Sequence, residues 1–319
     1  MRELQPNQCL SVAMPVFNEA AGIDAFVEEV HRHLAALELP VKKEIVLVND
    51  GSRDGTGDKL DALAARHPGE IRVVHLSRNF GFCAAASAAL QYAKGDVVIL
   101  MDADMQDDPG VFSAFLEQWH KGYDVVYAVR SSRKDSAIFR FLAWCFYRSL
   151  RFMSRLSLPL DSGIFALLDR RVVNAINDLP ERNRYIPGLR CWVGFAQIGI
   201  PVERRPRGHG KSRMGLRGLW DLALMAFFSF SFAPLFVFRL AGMAAMAMAG
   251  VVVLFSVVLY ALGTLPATWA LVAFLIAAFG GINLLGIGVL GEYISLVYDE
   301  VRRRPLFLVE RVTERNPSE

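Results

Sequence analysis

One long stretch of the sequence has no ionisable side chain, and it limits the possible folds more than any other feature. From residue 240 to residue 290 there is no Asp, Glu, Lys, Arg or His. The only interruption is the turn-like segment Gly263-Thr264-Leu265-Pro266. A helix of about 20 apolar residues crosses the ~30 Å hydrocarbon core of a bilayer. The sequence therefore predicts two transmembrane helices, near 240–262 and 267–290, and the alternative is a buried helical hairpin in a soluble protein.

The basic residues around these spans predict their orientation. Arg213, Arg217 and Arg239 precede the first span, three arginines at 302–304 follow the second, and the connecting turn has none. Cytoplasmic flanks of membrane helices are enriched in Lys and Arg. Residues 1–8 lack the basic and apolar regions of a secretory signal. We expect a two-span protein of the cytoplasmic (inner) membrane with both termini in the cytoplasm.

The rest of the composition is typical of a cytosolic domain. The four cysteines show no Cys-x-x-Cys spacing and are predicted to be reduced, packed thiols: Cys9, Cys83, Cys145 and Cys191. A formal charge of +3 is too small to favour nucleic acid as a partner. Clustered arginines near the membrane would favour anionic lipid head groups.

Apolar strands and amphipathic helices alternate through the first 130 residues. Strands are predicted at 10–17, 44–49, 71–76, 96–101 and 124–129, with helices at 23–37, 82–92 and 111–119. This alternation predicts an α/β fold with a doubly wound, mostly parallel sheet. Further along the chain we expect a helix at 137–156 and mixed structure that returns to the sheet at 161–205.

The predicted organisation has four parts: a cytoplasmic domain (1–210), a juxtamembrane helix (211–235), two transmembrane helices (236–292) and a cytoplasmic tail (293–319). The juxtamembrane segment is rich in aromatic residues, including Trp220 and Phe227. Aromatic side chains are common at the depth of lipid head groups, so an interfacial helix is expected. The alternative is a helix packed against the preceding domain.

Two carboxylates, Asp102 and Asp104, follow the buried strand predicted at 96–101. Ligands of parallel sheets gather at the carboxyl ends of strands. Mg²⁺ and Mn²⁺ prefer oxygen ligands and usually bridge one or two carboxylates to substrate phosphates. The pair predicts a divalent-cation site for a phosphorylated substrate such as a nucleotide, and the alternative is a solvated acidic loop.

Two further motifs end predicted strands of the same sheet. Pro15-Val16-Phe17-Asn18-Glu19 follows the first strand, Asn49-Asp50-Gly51-Ser52 follows the second, and Gln106 follows the acidic pair. Together these motifs resemble the family 2 glycosyltransferases, which have a GT-A nucleotide-binding domain. The resemblance implies that the nucleotide sugar contacts Pro15, Asn18, Glu19, Asp50, Ser52 and Asp102. It also implies that Asp102, Asp104 and Gln106 hold Mg²⁺ or Mn²⁺ on the diphosphate.

Motifs along the rest of the chain narrow this resemblance. The segments 102–107, 180–183, 192–195 and 291–294 are similar to those of the polyprenyl-phosphate glycosyltransferases, which include bactoprenol glucosyltransferases and dolichol-phosphate mannose synthases. The resemblance implies inverting transfer of one hexose, with glucose from UDP-glucose as the first choice, to undecaprenyl or another polyprenyl phosphate for cell-envelope glycan modification. The Gln-x-x-Arg-Trp motif of processive synthases is absent, which favours a single transfer.

An acceptor phosphate has to approach an anionic donor, so basic side chains are expected beside it. Arginine forks match phosphate geometry and stay charged. The candidates are Arg130, Arg133, Lys211 and Arg213. Their alternative role is that of ordinary surface or membrane-facing charges.

The sequence departs from the relatives in the predicted acceptor region. Relatives have Asp-x-Gly-Asp-Phe-Arg-Leu there, whereas this chain keeps Asp161, a catalytic candidate, and replaces the second acid and the arginine with Ile164 and Ala166. One interpretation is that base catalysis matters little, because a phosphate monoester with a second pKa near ~6 is already an anion. The other is a changed substrate or a weakened enzyme. Gly81-Phe82-Cys83 also departs from the relatives, which leaves GDP-mannose or UDP-aminoarabinose open as donors.

Two other functions are compatible with parts of the sequence. A catalytically silent paralogue could serve as a scaffold for a flippase or a second glycosyltransferase. A transporter is disfavoured, because spans without ionisable residues offer no polar pathway. Small residues in the spans, such as Gly242, Gly280 and Gly286, allow close helix packing. A homo-oligomer is expected, and the alternative is that these residues pack the two spans of one chain against each other.

Overall fold

The computed structural model describes residues 2–130, 162–182, 184–203, 205, 233–263 and 268–314. The helix predicted at 137–156 and almost all of the predicted juxtamembrane segment lie outside these residues. The division into four parts therefore remains a prediction.

The described residues form eight strands and eight α-helices. The strands are β1 (Cys9–Val16), β2 (Lys42–Asn49), β3 (Ile71–Leu76), β4 (Val97–Leu100), β5 (Val125–Arg130), β6 (Ser162–Asp169), β7 (Gln197–Val202) and β8 (Val309–Thr313). The helices are α1 (Ile23–Ala36), α2 (Thr56–Arg66), α3 (Phe82–Tyr92), α4 (Phe112–His120), α5 (Arg170–Asp178), α6 (Ile186–Trp192), α7 (Ala233–Ala261) and α8 (Thr268–Arg302). A 3₁₀ turn, Pro109–Val111, leads into α4.

The strands in the described part of the chain join into one mixed sheet with the order β7-β5-β6-β4-β1-β2-β3-β8. Strand β1 runs parallel to both β2 and β4, and β2 runs parallel to β3. Because the chain moves outward from β1 to β3 and then returns to place β4 on the other side of β1, the sheet is doubly wound. Its topological switch point lies between β1 and β4, where such sheets bind ligands. The predicted fold class and all five predicted strands are confirmed.

Two strands run against the others. β6 is antiparallel to both of its neighbours, β4 and β5, and β8 is antiparallel to β3. The strict alternation of strands and helices predicted neither reversal. Part of the predicted cytoplasmic tail instead adds the strand β8 to this sheet.

The central strands are buried on both faces, which explains their continuous apolar sequences. In β4, Val97 and Ile99 pack in one hydrophobic layer with α1, α2 and α4, while Val98 and Leu100 pack in the other with α3, α5 and α6. Successive side chains of a strand point to opposite faces, so each strand contributes to both layers. The strands therefore form the core, and the loops beyond the strand ends carry the polar residues.

Within the described residues, α7 and α8 are the helices long and apolar enough to cross a membrane. Large apolar side chains on both helices face outward, among them Met243, Leu254 and Leu285. A buried helical hairpin would cover these side chains, so the structure disfavours that alternative. Both helices are longer than the predicted spans. α7 begins at Ala233, and α8 continues to Arg302.

Candidate active site

Three loops with the predicted site residues lie side by side at one edge of the sheet. They follow β4, β1 and β2, which are neighbours in that order. The register places Ala13 opposite Leu100 and Val16 opposite Asn49, so these strands end near one another. The structure therefore brings the acidic pair, the Asn18 segment and the Asp50 segment to one edge.

Reciprocal hydrogen bonds join the loops that follow β1 and β2. The Asn18 backbone N–H donates to Ser52 Oγ over 2.8 Å, and the Arg53 N–H donates to Asn18 Oδ1 over 2.8 Å. The Glu19 N–H donates to Thr56 Oγ1 over 3.0 Å. Both Asn18 and Ser52 thus stabilise the loops themselves. Their Nδ2 and O–H groups keep donor capacity, so nucleotide contact stays a prediction for both residues.

Asp50 connects the end of β2 to the start of α3. It is 2% exposed, and its carboxylate accepts the backbone N–H groups of Phe80 at 2.7 Å and Gly81 at 3.0 Å. Burial raises the pKa of Asp50, while these hydrogen bonds and the charge of Arg78 oppose the rise. Nothing in the sequence pattern predicted that Asp50 would organise the loop after β3.

The acidic pair lies on a tight turn. Met105 has a positive φ of 62°, and the Gln106 N–H donates to Asp104 Oδ1 over 3.2 Å. The Asp102 N–H donates to Asp107 Oδ2 over 3.1 Å. The turn keeps Asp102 and Asp104 partly exposed beyond the end of β4. Partly exposed carboxylates in one short loop fit a hard divalent cation, which prefers oxygen ligands.

The acidic loop and the predicted acceptor region both line one small cavity. It is lined by Asp102, Gln106 and Asp107, by the first residues of β6, and by Val202 and Glu203 at the end of β7. Because β6 is antiparallel to β4, its first residues lie beside the carboxyl end of β4. Asp161, the catalytic candidate just before β6, lies outside the described residues.

The two departures in this region are part of the hydrophobic core. Ile164 is 6% exposed and Ala166 is 1% exposed, and both pack in the layer that contains α3, α5 and α6. An acid or an arginine at these positions would have to be paired to be buried there. The chain has replaced two polar groups with well-packed apolar ones.

A buried arginine from another element lies next to this strand. Arg190 of α6 is 1% exposed, and its Nη1 lies 3.4 Å from the carbonyl oxygen of Gly163. Its guanidinium carbon lies 4.5 Å from the centre of the Tyr127 ring. The sequence pattern did not indicate Arg190, because a single arginine in a short helix has no distinctive spacing. Arg190 therefore supplies a guanidinium beside β6, although Ala166 stands where the relatives have an arginine.

A second and larger cavity, of about 660 Å³, lies beside the Asp50 loop. Its walls come from the loops after β1, β2 and β3 and from β8, and they include Phe17, Ser52, Arg78, Glu310 and Arg311. The ring of Phe17 is 38% exposed at the end of β1, which gives this edge an aromatic surface. No sequence motif indicated a role for Glu310 or Arg311.

The remaining predicted residues are placed as follows. Pro15 is buried in β1 opposite Val48. Arg130 ends β5, and its side chain is outside the described part of the molecule. Arg133, Lys211 and Arg213 also lie outside the described residues. The acceptor-phosphate assignments therefore stay predictions.

One group of potential metal ligands lies away from these loops. Glu28, His31 and His67 have ligand atoms within 4.8 Å of one another. They are near the amino end of β3. Arg66 forms an ion pair with Glu28, and Glu70 Oε2 lies 2.5 Å from His31 Nε2. These contacts give the group a structural role, since they join α1 to the end of α2 and the turn that follows it.

Comparison with known proteins decides the family. The model of the family "Glycosyl transferase family 2" matches residues 11–176. The chain belongs to this family. The resemblance inferred from the motifs is confirmed, and the protein is a glycosyltransferase.

Relatives of this glycosyltransferase match it along nearly the whole chain. An uncharacterized glycosyltransferase of Synechocystis is 38% identical over 94% of both chains. A prophage-derived bactoprenol glucosyl transferase of Shigella flexneri is 37% identical over 97% of this chain and 99% of its own. An undecaprenyl-phosphate 4-deoxy-4-formamido-L-arabinose transferase of Pseudomonas aeruginosa is 35% identical over 98% of this chain and 93% of its own. Together with its two exposed apolar helices, these matches make the glycosyltransferase a membrane-associated protein.

Proposed function

We propose that this glycosyltransferase transfers one glucose from UDP-glucose to undecaprenyl or another polyprenyl phosphate at the cytoplasmic face of the inner membrane. The observation that carries the proposal is the cavity shared by the acidic loop and the start of β6, in a chain with two exposed apolar helices. The names of the Shigella and Pseudomonas relatives support a polyprenyl phosphate acceptor. They differ in the sugar, so the choice of glucose rests on the bactoprenol relatives.

The proposal includes a divalent cation, Mg²⁺ or Mn²⁺. Asp102, Asp104 and Gln106 would hold it at the carboxyl end of β4. A bound ion supplies positive charge that stabilises a departing nucleoside diphosphate. The loops after β1 and β2 would bind the nucleotide, with Asp50 keeping the loop after β3 in place.

The acceptor phosphate is the proposed nucleophile. One of its oxygens forms a bond to the anomeric carbon while the bond from that carbon to the diphosphate oxygen breaks, so the configuration inverts. A phosphate monoester with a second pKa near ~6 is largely dianionic at neutral pH and needs little help from a base. Buried Ile164 at the position of the relatives' acid agrees with this chemistry. Arg130, Arg133, Lys211 and Arg213 are proposed to hold the phosphate.

The test is a donor panel with the full-length protein in detergent or nanodiscs. UDP-glucose, GDP-mannose and UDP-aminoarabinose are each incubated with undecaprenyl phosphate and Mn²⁺, and the lipid product is identified by mass. We expect a hexosyl lipid from UDP-glucose and loss of product in Asp104→Asn. Glu117→Gln on the exposed surface of α4 is the matched control and should keep wild-type activity. The absence of lipid-linked sugar from every donor, or full activity of Asp104→Asn, would contradict the proposal.

The second candidate is a silent paralogue that scaffolds a flippase or another glycosyltransferase. It is favoured by the apolar residues Ile164 and Ala166 at positions where relatives carry polar ones. The same donor panel separates the two candidates. A scaffold would bind a nucleotide without turnover of any donor, whereas turnover of one donor excludes a silent protein.

A further inference from the structure

The strand that follows α8 lines the 660 Å³ cavity beside the Asp50 loop, through Glu310 and Arg311. β8 begins at Val309, shortly after α8 ends at Arg302. It pairs with β3 so that Arg311 lies opposite His75. The Ser77 N–H also donates to the carbonyl oxygen of Leu308 over 2.9 Å. The residues leaving the membrane helix are thus attached to the strand whose following loop contacts Asp50.

A continuous series of polar contacts connects β8 to the loop after β2. Arg311 Nη2 donates to Asp61 Oδ2 over 2.7 Å, and Asp61 Oδ1 lies 2.9 Å from His75 Nε2. His75 Nδ1 lies 3.1 Å from Asn49 Nδ2, and the Ser52 N–H donates to Asn49 Oδ1 over 3.0 Å. Each residue in the series contacts the next, from the surface at Arg311 to the candidate nucleotide loop.

The chemistry of these groups sets the direction of the hydrogen bonds. An amide nitrogen such as Asn49 Nδ2 can only donate, so His75 Nδ1 accepts. The imidazole proton is then on Nε2 and is donated to Asp61. His75 is 4% exposed and Asn49 is 6% exposed, so water cannot easily replace a lost partner. The amide of Asn49 is thereby held in the one orientation in which Oδ1 accepts from Ser52.

Arg311 also affects the charge of Asp61. Although burial opposes ionisation of Asp61, hydrogen bonds from Arg311, Thr313 and His75 hold its pKa below the usual value. Asp61 is therefore ionised at neutral pH and can accept from both Arg311 and His75. Loss of Arg311 leaves a carboxylate with one charged partner fewer and a less constrained position.

We propose that Arg311 is a positioning residue for the nucleotide-sugar donor. It acts through Asp61, His75 and Asn49 to hold the 49–52 loop in its binding conformation. The inference rests on the proposed function, and it assigns to β8 a role in binding a nucleoside diphosphate sugar.

Contacts that do not involve Arg311 also attach β8 to the sheet. Arg72 donates from Nε and Nη2 to the two carboxylate oxygens of Glu314, over 2.9 and 2.8 Å. Arg311 is 49% exposed, so its removal leaves no cavity. Its replacement should disturb the series of contacts while β8 stays paired with β3.

The first measurement needs no substrate. Hydrogen exchange of the backbone amides in 49–56 is compared between the wild-type protein and Arg311→Ala, with Arg171→Ala as a control. Arg171 is also an exposed arginine in ion pairs, but it is on α5 and bonds to Asp124 and Asp169. We expect the amides in 49–56 to exchange about five times faster in Arg311→Ala only, in keeping with the loss of one hydrogen bond. Unchanged exchange overturns the inference whether or not the protein is a glycosyltransferase.

The second measurement uses UDP-glucose and undecaprenyl phosphate. Arg311→Ala should raise the KM for the donor and the Kd for UDP about five-fold, with an unchanged KM for the acceptor and a Tm lowered by no more than about 4 °C. Arg311→Lys, which keeps one charged donor for Asp61, should restore part of the affinity. The double variant Asp61→Asn/Arg311→Ala should have a donor KM no higher than that of whichever single variant has the higher KM, because both residues act in one series. A wild-type enzyme with activity and an Arg311→Ala variant with the same donor KM overturn the inference and leave the proposed function intact. An inactive wild-type protein contradicts the proposed function instead.

Discussion

At the scale of single residues, the candidate site depends on how closely the loops after β2 and β3 approach each other. Gly51 has a positive φ of 64°, and a Cβ atom there would lie 2.4 Å from the carbonyl carbon of Arg78 and 2.6 Å from the nitrogen of Asn79. No side chain fits in this space. Because Gly51 has none, the neighbouring carboxylate of Asp50 reaches the N–H groups of Phe80 and Gly81.

Gly51→Ala should therefore weaken nucleotide binding, and the steric clash should contribute more to this loss than the backbone strain does. The methyl group would push residues 78 and 79 away, and the two hydrogen bonds of Asp50 would lengthen. We expect the Kd for UDP, measured by calorimetry with Mn²⁺, to rise at least about ten-fold, in keeping with the loss of two hydrogen bonds.

Gly55→Ala is the matched control for this change. Gly55 also has a positive φ, 85°, but a Cβ atom there would have nothing within 4 Å. It carries the same backbone strain, about 1–2 kcal/mol, without the steric clash. Equal Kd values for the two variants would show that backbone strain, and not the approach of the loops, controls binding.

The reactivity of the Cys83 thiol reports whether water reaches the start of α3. Burial raises the pKa of its thiol to about 11. An unperturbed thiol has a pKa near ~8.5, so the thiolate fraction at pH 8 should be on the order of 100-fold smaller for Cys83. Alkylation of the native protein by iodoacetamide, followed by mass spectrometry of the peptide, should be slower by about the same factor than in the denatured protein. Equal rates in both states would mean that water reaches the thiol.

At the scale of elements, the sequence predicted those strands whose burial shows in their composition. β1 to β5 are apolar runs between polar loops, and each was found with its bounds shifted by two residues or fewer. The reversed direction of β6 could not be predicted, because strand direction depends on the path of the chain and not on side-chain pattern. β8 was missed because Val309–Thr313 is a short, partly exposed edge strand whose partner, β3, is far away in the sequence.

The candidate site divides in the same way. The acidic pair Asp102 and Asp104 was predictable, because carboxylates directly after a buried strand are a local pattern. The bonds of Asn18 to Ser52 and Arg53 were not, because they depend on the approach of two loops from different strands. Arg190 and Arg311 were missed for the same reason, since only the folded chain places them near β6 and Asp61.

Glu314 makes the attachment of β8 sensitive to pH. The hydrogen bond from Arg72 is the main cause that lowers the pKa of Glu314. A carboxylate with a lowered pKa in the folded state stabilises the fold above its unfolded pKa of about 4.5, and this stability is lost as the pH falls through the lowered value. We therefore expect hydrogen-exchange protection of 309–313 to be constant from pH 8 to pH 5 and to fall below that range.

Glu314→Gln removes the charge that causes this behaviour. Glu314 is 37% exposed, so solvent weakens the pair, and we expect protection of β8 to fall only about five-fold at pH 7. The variant should also show a smaller decline below pH 5, and the part that remains comes from Asp61, whose pKa, despite burial, is likewise lowered by its bonds to Arg311 and Thr313 of β8. A decline of the same size in the variant would assign the pH dependence to another group.

For the molecule as a whole, the pairing of β8 with β3 predicts that the start of α7 and the end of α8 lie on the same side of the membrane. The chain enters α7 from the catalytic domain, leaves α8 at Arg302 and returns to the sheet of that domain at Val309. A strand cannot pair with β3 from across a bilayer, because backbone groups within the hydrocarbon core must be satisfied internally. We propose that both helices cross the bilayer, which puts Leu262, just after α7, on the side opposite to β8. The orientation predicted from the flanking arginines also has both ends on one side.

Single cysteines at two exposed positions test this topology in intact cells. In a background with all four native cysteines changed to serine, Leu262→Cys lies at the turn and Leu308→Cys lies just before β8; the two leucines are 71% and 53% exposed. A membrane-impermeant maleimide should label Leu262→Cys from outside and should label Leu308→Cys only after lysis, because the bilayer separates the two positions. If the reagent labels Leu308→Cys in intact cells, the catalytic domain is on the outer face, where a cytoplasmic nucleotide sugar cannot reach it. Labelling of neither position before lysis, with both labelled afterwards, would mean that α7 and α8 lie on the membrane without crossing it.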